Sequence, residues 1–178
     1  MNTFIALLRG INVSGQKKIP MAQLRSLLSK SGFDNVQTYI QSGNVIFQSS
    51  EVNRTTLENL IQKAITSHFG FEVPVLVRSA AEIGDILDAC PFTDEKKTNG
   101  YFTLLHSAPD KKLIKETHLI SYPNEEFHIS NQCVYFYSTS GYGNAKCNNN
   151  FFERKLKVDA TTRNYKTMVK LLSLCAEN

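Results

Sequence analysis

With 178 residues, 42% of them hydrophobic and 20% charged, the chain has the apolar material for a sizeable core and not the composition of a disordered segment. Its net charge of +4 is uneven: residues 1–35 carry five basic side chains against Asp34, residues 146–178 seven basic and three acidic, and the middle eight basic and twelve acidic. No apolar run approaches the roughly 18 residues of a membrane span and no basic leader precedes the first one, so the expected setting is the cytoplasm, with no membrane partner.

The opening run Phe4-Ile5-Ala6-Leu7-Leu8 is short, continuous and bounded by turn residues, and reads as a buried strand over about residues 3–9. It passes into a polar loop punctuated by Gly10 and Gly15 and ending in Lys17-Lys18, a displayed surface. Pro20 suits the first turn of a helix, where its missing N–H costs nothing. Met21, Leu24, Leu27 and Leu28 then share one face, and Gly32 is placed to stop the helix. Val36 to Gln41 and Val45 to Gln48 flank Ser42-Gly43-Asn44, a hairpin whose glycine supplies a positive φ. The cleanest helical period covers residues 54–69, with Leu57, Leu60, Ile61, Ala64, Ile65 and Phe69 on one face and Gly70 as its stop. Val73 to Val77 follows as a strand, and the order βαββαβ is that of the ferredoxin-like split unit.

Ser79 and Glu82 have capping-box spacing ahead of Ile83, Ile86 and Leu87, and Cys90-Pro91 ends that helix. The charged, turn-forming segment 94–100, DEKKTNG, reads as a linker. The expected domains are therefore 1–92, a βαββαβ unit with a connecting helix, and 93–178. Tyr101 to His106, YFTLLH, lies over FIALLR with the Leu-Leu pair in register, and FHISNQCVYF parallels YIQSGNVIF with one more residue in the turn. Asp110 caps a short helix carrying Leu113 and Ile114 between them. These likenesses imply an internal duplication of β-α-β-β-α, so the second domain is a partial repeat with a basic helical tail. In that tail Ser138 to Asn150 reads as a loop, Phe151 to Lys157 as a short helix, and Val158 to Thr162 as the lead into a last helix. Thr161 or Thr162 is its expected N-cap, with Tyr165, Met168, Val169, Leu172 and Cys175 on its buried face. The fold class is α+β: two ferredoxin-like-related units with antiparallel sheets backed by helices, plus C-terminal helices.

The chemistry begins with absences. Gly10 to Lys17 nearly matches the phosphate loop G-x-x-x-x-G-K-[ST], but Gln16 displaces the lysine, Lys18 stands where a hydroxyl belongs, and Pro20 delays the helix. His68, His106, His118 and His128 show no metal spacing and no neighbouring nucleophile, and no nucleophile elbow occurs. No metal and no cofactor are expected. The four cysteines, Cys90, Cys133, Cys147 and Cys175, form no C-x-x-C pair; they read as reduced thiols, three packed and Cys147 exposed. What remains is polar residues on loops, where function concentrates. Arg9, Asn12, Lys17 and Lys18 follow the first strand; Gln41, Ser42 and Asn44 form the hairpin turn; Lys146, Arg154 and Arg163 lie in the basic tail. Each has a plain reading too: Gly43-Asn44 makes a good turn, and Thr-Thr-Arg-Asn a good helix start. In a first helical turn Arg163 would oppose the macrodipole, an objection that a bound anion removes.

The stretches FIALLRGINVSGQKKIP, YIQSGNVIF, ERKL and ATTRNY together resemble the bacterial domain-of-unknown-function family numbered 1697, and the likeness runs through nearly the whole chain. The resemblance implies an uncharacterised cytoplasmic α+β protein and brings no assigned activity. It also leads one to expect serine and leucine where Ala145 and Cys147 flank Lys146. Two functions stay open. One is a binding module that takes an anionic ligand, a phosphorylated metabolite, nucleotide or nucleic acid, on the basic loops. The other is an enzyme of unrecognised type acting on a phosphorylated or anionic substrate in a cleft between the two halves.

Overall fold

The computed structural model describes all 178 residues. The chain divides into two compact units, one built from Met1–Gly84 and Lys170–Asn178, the other from Asp85–Val169. In the first unit the elements run β1 (Asn2–Leu8), α1 (Met21–Lys30), β2 (Asp34–Tyr39), β3 (Asn44–Ser49), α2 (Arg54–Phe69) and β4 (Val75–Ser79), followed by α3 (Ala80–Asp88). The sheet order is β2-β3-β1-β4 with every neighbouring pair antiparallel, the ferredoxin-like arrangement expected from the element order.

One face of this sheet, carrying Phe4, Ala6, Leu8, Val45, Phe47, Val75 and Val77, packs on Leu24 and Leu28 of α1 and on Leu57, Ile61 and Ile65 of α2. The alternate residues Ile5, Leu7, Ile46 and Leu76 are equally buried. Both faces are thus out of water, which is why β1 reads as a continuous apolar run and not as an alternating one. The helix ends follow their local chemistry. Asn53 accepts a bond from the Thr56 N–H to cap α2, and Gly70, at φ 80°, closes it. Gly32, at φ 94°, lets the Phe33 N–H reach back to the Leu28 carbonyl at 3.2 Å, so that the buried Phe33 ring meets Phe47 edge-on at 4.9 Å. Leu60, expected on the buried face of α2, is instead exposed. A helix resting on a sheet buries a narrower stripe than the apolar period suggests.

Next along the chain, in the second unit, comes α4 (Asp94–Thr98), a single turn inside the segment expected to be a linker. It continues β5 (Tyr101–Leu105), α5 (Lys111–His118), β6 (Glu125–Ile129), β7 (Cys133–Ser138), α6 (Asn149–Leu156) and β8 (Ala160–Asn164), before the final helix α7 (Tyr165–Ala176). The sheet order β6-β7-β5-β8 repeats that of the first unit, again fully antiparallel. Leu105, Val134, Phe136 and Ala160 pack with Phe151, Phe152 and Leu156 of α6.

The fourth strand corrects the sequence reading of the tail. Ala160 to Asn164 is no lead into a helix; it pairs with β5 from Leu105↔Ala160 to Tyr101↔Asn164, and the second βαββαβ unit is complete. The cause is long-range pairing that overrides local propensity. Thr162 Oγ1 lies 2.8 Å from Thr103 Oγ1 and donates to Asn149 Oδ1 at 2.8 Å, a contact available only in the extended form. Helix α7 accordingly begins at Tyr165 and is capped not by Thr161 or Thr162 but by Asn164, whose Oδ1 accepts from the Thr167 N–H at 2.9 Å. Its buried positions are Thr167, Met168 and Leu171, and Val169 is exposed.

Candidate functional site

Three segments of the first unit meet where β1 ends and β3 and β4 begin: the loop after β1 (residues 9–20), the turn Ile40–Gly43, and the entry to β4. Backbone bonds tie them together, from the Leu8 N–H to the Gly43 carbonyl at 2.8 Å and from the Arg9 N–H to the Pro74 carbonyl at 3.0 Å. Gly43, at φ +79°, comes so close to β1 that a Cβ there would lie 2.6 Å from Leu8 Cβ and 2.9 Å from Ile11 Cδ1. Only glycine allows this approach.

Asn12 holds the loop. Its Nδ2 donates to the Ile19 carbonyl at 3.0 Å and to the Gln41 carbonyl at 2.7 Å, and its Oδ1 accepts from the Ile19 N–H at 2.8 Å. The Asn12 N–H donates to the Lys17 carbonyl at 3.1 Å. Asn12, Ser14 and Lys17 all have left-handed backbones, with φ of 55°, 49° and 45°, and three such non-glycine residues in one short loop mark a segment whose shape is imposed by its surroundings. Lys17 Nζ donates to the Glu72 carbonyl at 2.7 Å, and the adjoining Lys18 is exposed. Arg9 is half-buried at the root of the loop. Asn44, wholly buried, donates from Nδ2 to the Tyr39 carbonyl at 3.1 Å and to Ser42 Oγ at 3.0 Å, so its role is to close the turn.

The structure therefore brings Arg9, Asn12, Lys17, Lys18, Gln41, Ser42 and Asn44 into one neighbourhood. No carboxylate occurs in residues 1–33, and Lys17 is held by the backbone carbonyl of Glu72. The likeness to a phosphate loop is not realised. Lys17 turns to the Glu72 backbone, and the helix that would present its N-terminus starts only at Met21, behind Pro20.

The other candidates belong to the second unit. The Lys146 and Cys147 N–H groups both donate to the Glu125 carboxylate, at 2.7 and 2.9 Å, so those two amides already hold an anion. Cys147, expected to be exposed, is fully buried, and its thiol is pushed up to about 12, first by burial and then by the Glu125 carboxylate. Arg154 is exposed on α6. Arg163 sits in β8, opposite Phe102, and not in a first helical turn; its Nη1 donates to the Thr162 carbonyl at 2.9 Å, and burial pulls its guanidinium down to about 10.

Arg78 was not singled out by the sequence. It stands opposite Ile5 in β4 as Arg163 stands opposite Phe102 in β8, and its Nη1 likewise donates to the preceding carbonyl, that of Val77, at 2.8 Å. Burial lowers its pKa, against the pull of Glu82. The available signal was an arginine inside an otherwise apolar strand, Val75-Leu76-Val77-Arg78.

A four-stranded antiparallel sheet backed by helices, occurring twice in one chain, defines an α+β protein of two ferredoxin-like units. The chain belongs to the family described as "Protein of unknown function (DUF1697)", which residues 1–135 match. It is similar to the solved structure of the conserved bacterial protein SP0830 from Streptococcus pneumoniae, at 23% identity over 97% of this chain and 98% of that one, with a TM-score of 0.75. That likeness is one of fold. No curated protein matches the chain. No helix is long and apolar enough to cross a membrane.

Proposed function

We propose that the protein binds a phosphate-bearing ligand through the loop cluster of the first unit, with Lys17 and Lys18 supplying the charge, Arg9 at its root, and Gln41 and Ser42 at its side. One observation carries this reading: cations on a loop that Asn12 freezes with three hydrogen bonds, in a stretch of 33 residues without a carboxylate. A fixed loop loses little further freedom on binding, so more of the charge attraction appears as affinity. The strained backbone at Asn12, Ser14 and Lys17 supports the same reading, since such strain gathers at ligand sites. Lys146, Arg154 and Arg163 form a separate set in the second unit. Its shared strand order, and the matched pair Arg78 and Arg163, support descent of that unit from the first by duplication.

The test is thermal unfolding with and without phosphate. A ligand at about 100 times its Kd stabilises the folded state by about 2.7 kcal/mol, a rise of several degrees for a chain of this size. Replacing both Lys17 and Lys18 by glutamine should abolish most of that rise. An equal rise in the variant would remove the loop from the site.

A further inference from the structure

We infer that Val13 and Ile40 form an apolar seat for the base of a nucleoside phosphate whose phosphate is held by the neighbouring lysines, an inference that rests on the phosphate reading above. Val13 is 59% and Ile40 51% exposed. They are not scattered surface residues of the kind that needs no explanation. Val13 follows Asn12 and Ile40 precedes Gln41, and the 2.7 Å bond from Asn12 Nδ2 to the Gln41 carbonyl ties the two segments together. Val13 is further fixed by its bridge to Gln16, the residue before the lysine pair, so Val13 and the lysines belong to the same small bend.

Ile40 breaks two local rules at once. It holds φ 51°, a region that a β-branched residue enters only at a cost and that asparagine or glycine would occupy more cheaply. It also leaves about half of its surface exposed in the free protein. A position that is unfavourable in conformation and in exposure is accounted for by what covers it when the ligand is bound. Phosphate alone cannot cover an aliphatic side chain, and a sugar phosphate offers only hydroxyls. A nucleoside phosphate offers an anion and a flat apolar face joined by a short link, whether free or as part of a single strand.

Four probes separate the possibilities by titration calorimetry on the intact chain: inorganic phosphate, ribose 5-phosphate, adenosine 5′-monophosphate and a short single-stranded oligonucleotide. The nucleotide should bind about tenfold more tightly than ribose 5-phosphate, as expected for covering part of two aliphatic side chains. Val13→Ser and Ile40→Asn should each remove most of that advantage while leaving ribose 5-phosphate affinity unchanged. Ile40→Asn should at the same time raise the unfolding temperature, because asparagine tolerates the left-handed region, so loss of binding could not be blamed on misfolding. Equal affinity for nucleotide and sugar phosphate overturns the inference and leaves the phosphate reading standing. Failure of all four probes to bind overturns both. An oligonucleotide advantage over the monophosphate that the two substitutions erase supports the inference with the polymer as ligand, and an advantage they do not touch counts against it.

Discussion

Gly43 and Gly70 hold almost the same backbone angle, φ +79° and +80°, yet their surroundings differ completely. A Cβ at Gly70 would meet nothing within 4 Å, whereas one at Gly43 would lie 2.6 Å from Leu8 Cβ and 2.9 Å from Ile11 Cδ1. A Cβ cannot swing aside as a side-chain tip can, and Leu8 and Ile11 are themselves buried. The left-handed penalty for alanine, about 1 kcal/mol, applies to both sites. Overlap with a packed core adds about 1–3 kcal/mol at Gly43 alone. Gly70→Ala should therefore cost about 1 kcal/mol and Gly43→Ala about 2–4. With a urea slope of about 2 kcal/mol/M, the midpoint should fall by roughly 0.5 M in the first variant and by 1–2 M in the second. Equal falls would refute the claim that Gly43 is required by close approach and not merely by its φ angle.

Asn12→Ala removes three hydrogen bonds and leaves an alanine in the left-handed region, which should cost about 2–4 kcal/mol and speed amide exchange at Ile19; unchanged protection of that amide would show that Asn12 does not hold the loop. Ser79→Ala breaks a capping box in which the Ser79 N–H donates to Glu82 at 2.9 Å and the Glu82 N–H to Ser79 Oγ at 3.2 Å, and should cost about 1 kcal/mol in chemical denaturation. Cys147, held at about 12 in the fold against an ordinary thiol value of 9.0, should resist thiol reagents at pH 8 until the protein unfolds. Between these two values the unfolded thiol is ionised while the folded one keeps its proton, so stability should fall as pH rises through that window; Cys147→Ala should flatten the fall, and an unchanged slope would contradict the burial.

Much of the first unit was legible because its signals are local. Helix α2 covers residues 54–69 as its apolar period implies and stops at Gly70, and the Ser79–Glu82 box forms as its spacing implies. What failed depended on partners distant in sequence. Ala160 to Asn164 resembles a polar helix start, and only the Thr103–Thr162 contact and the pairing with β5 make it a strand. The tract around Cys147 is polar by composition, yet the Glu125 carboxylate, more than twenty residues away, gathers its backbone and buries the thiol. The site divides in the same way. The basic character of the loop lies in Arg9, Lys17 and Lys18 themselves, whereas the task of Asn12 could not be read, because its partner Gln41 is 29 residues on. Asn44 shows the reverse error, a polar residue that reads as a ligand contact and is committed to closing its own turn.

The most direct test of the phosphate site is to record backbone amide NMR shifts of the isotope-labelled chain during titration with inorganic phosphate and adenosine 5′-monophosphate. Saturable shifts confined to residues 9–19 and 40–44, with the nucleotide moving Val13 and Ile40 further than phosphate does, are the expected result. Shifts centred on Lys146 and Arg154, or none at millimolar ligand, would contradict the placement of the site in the first unit.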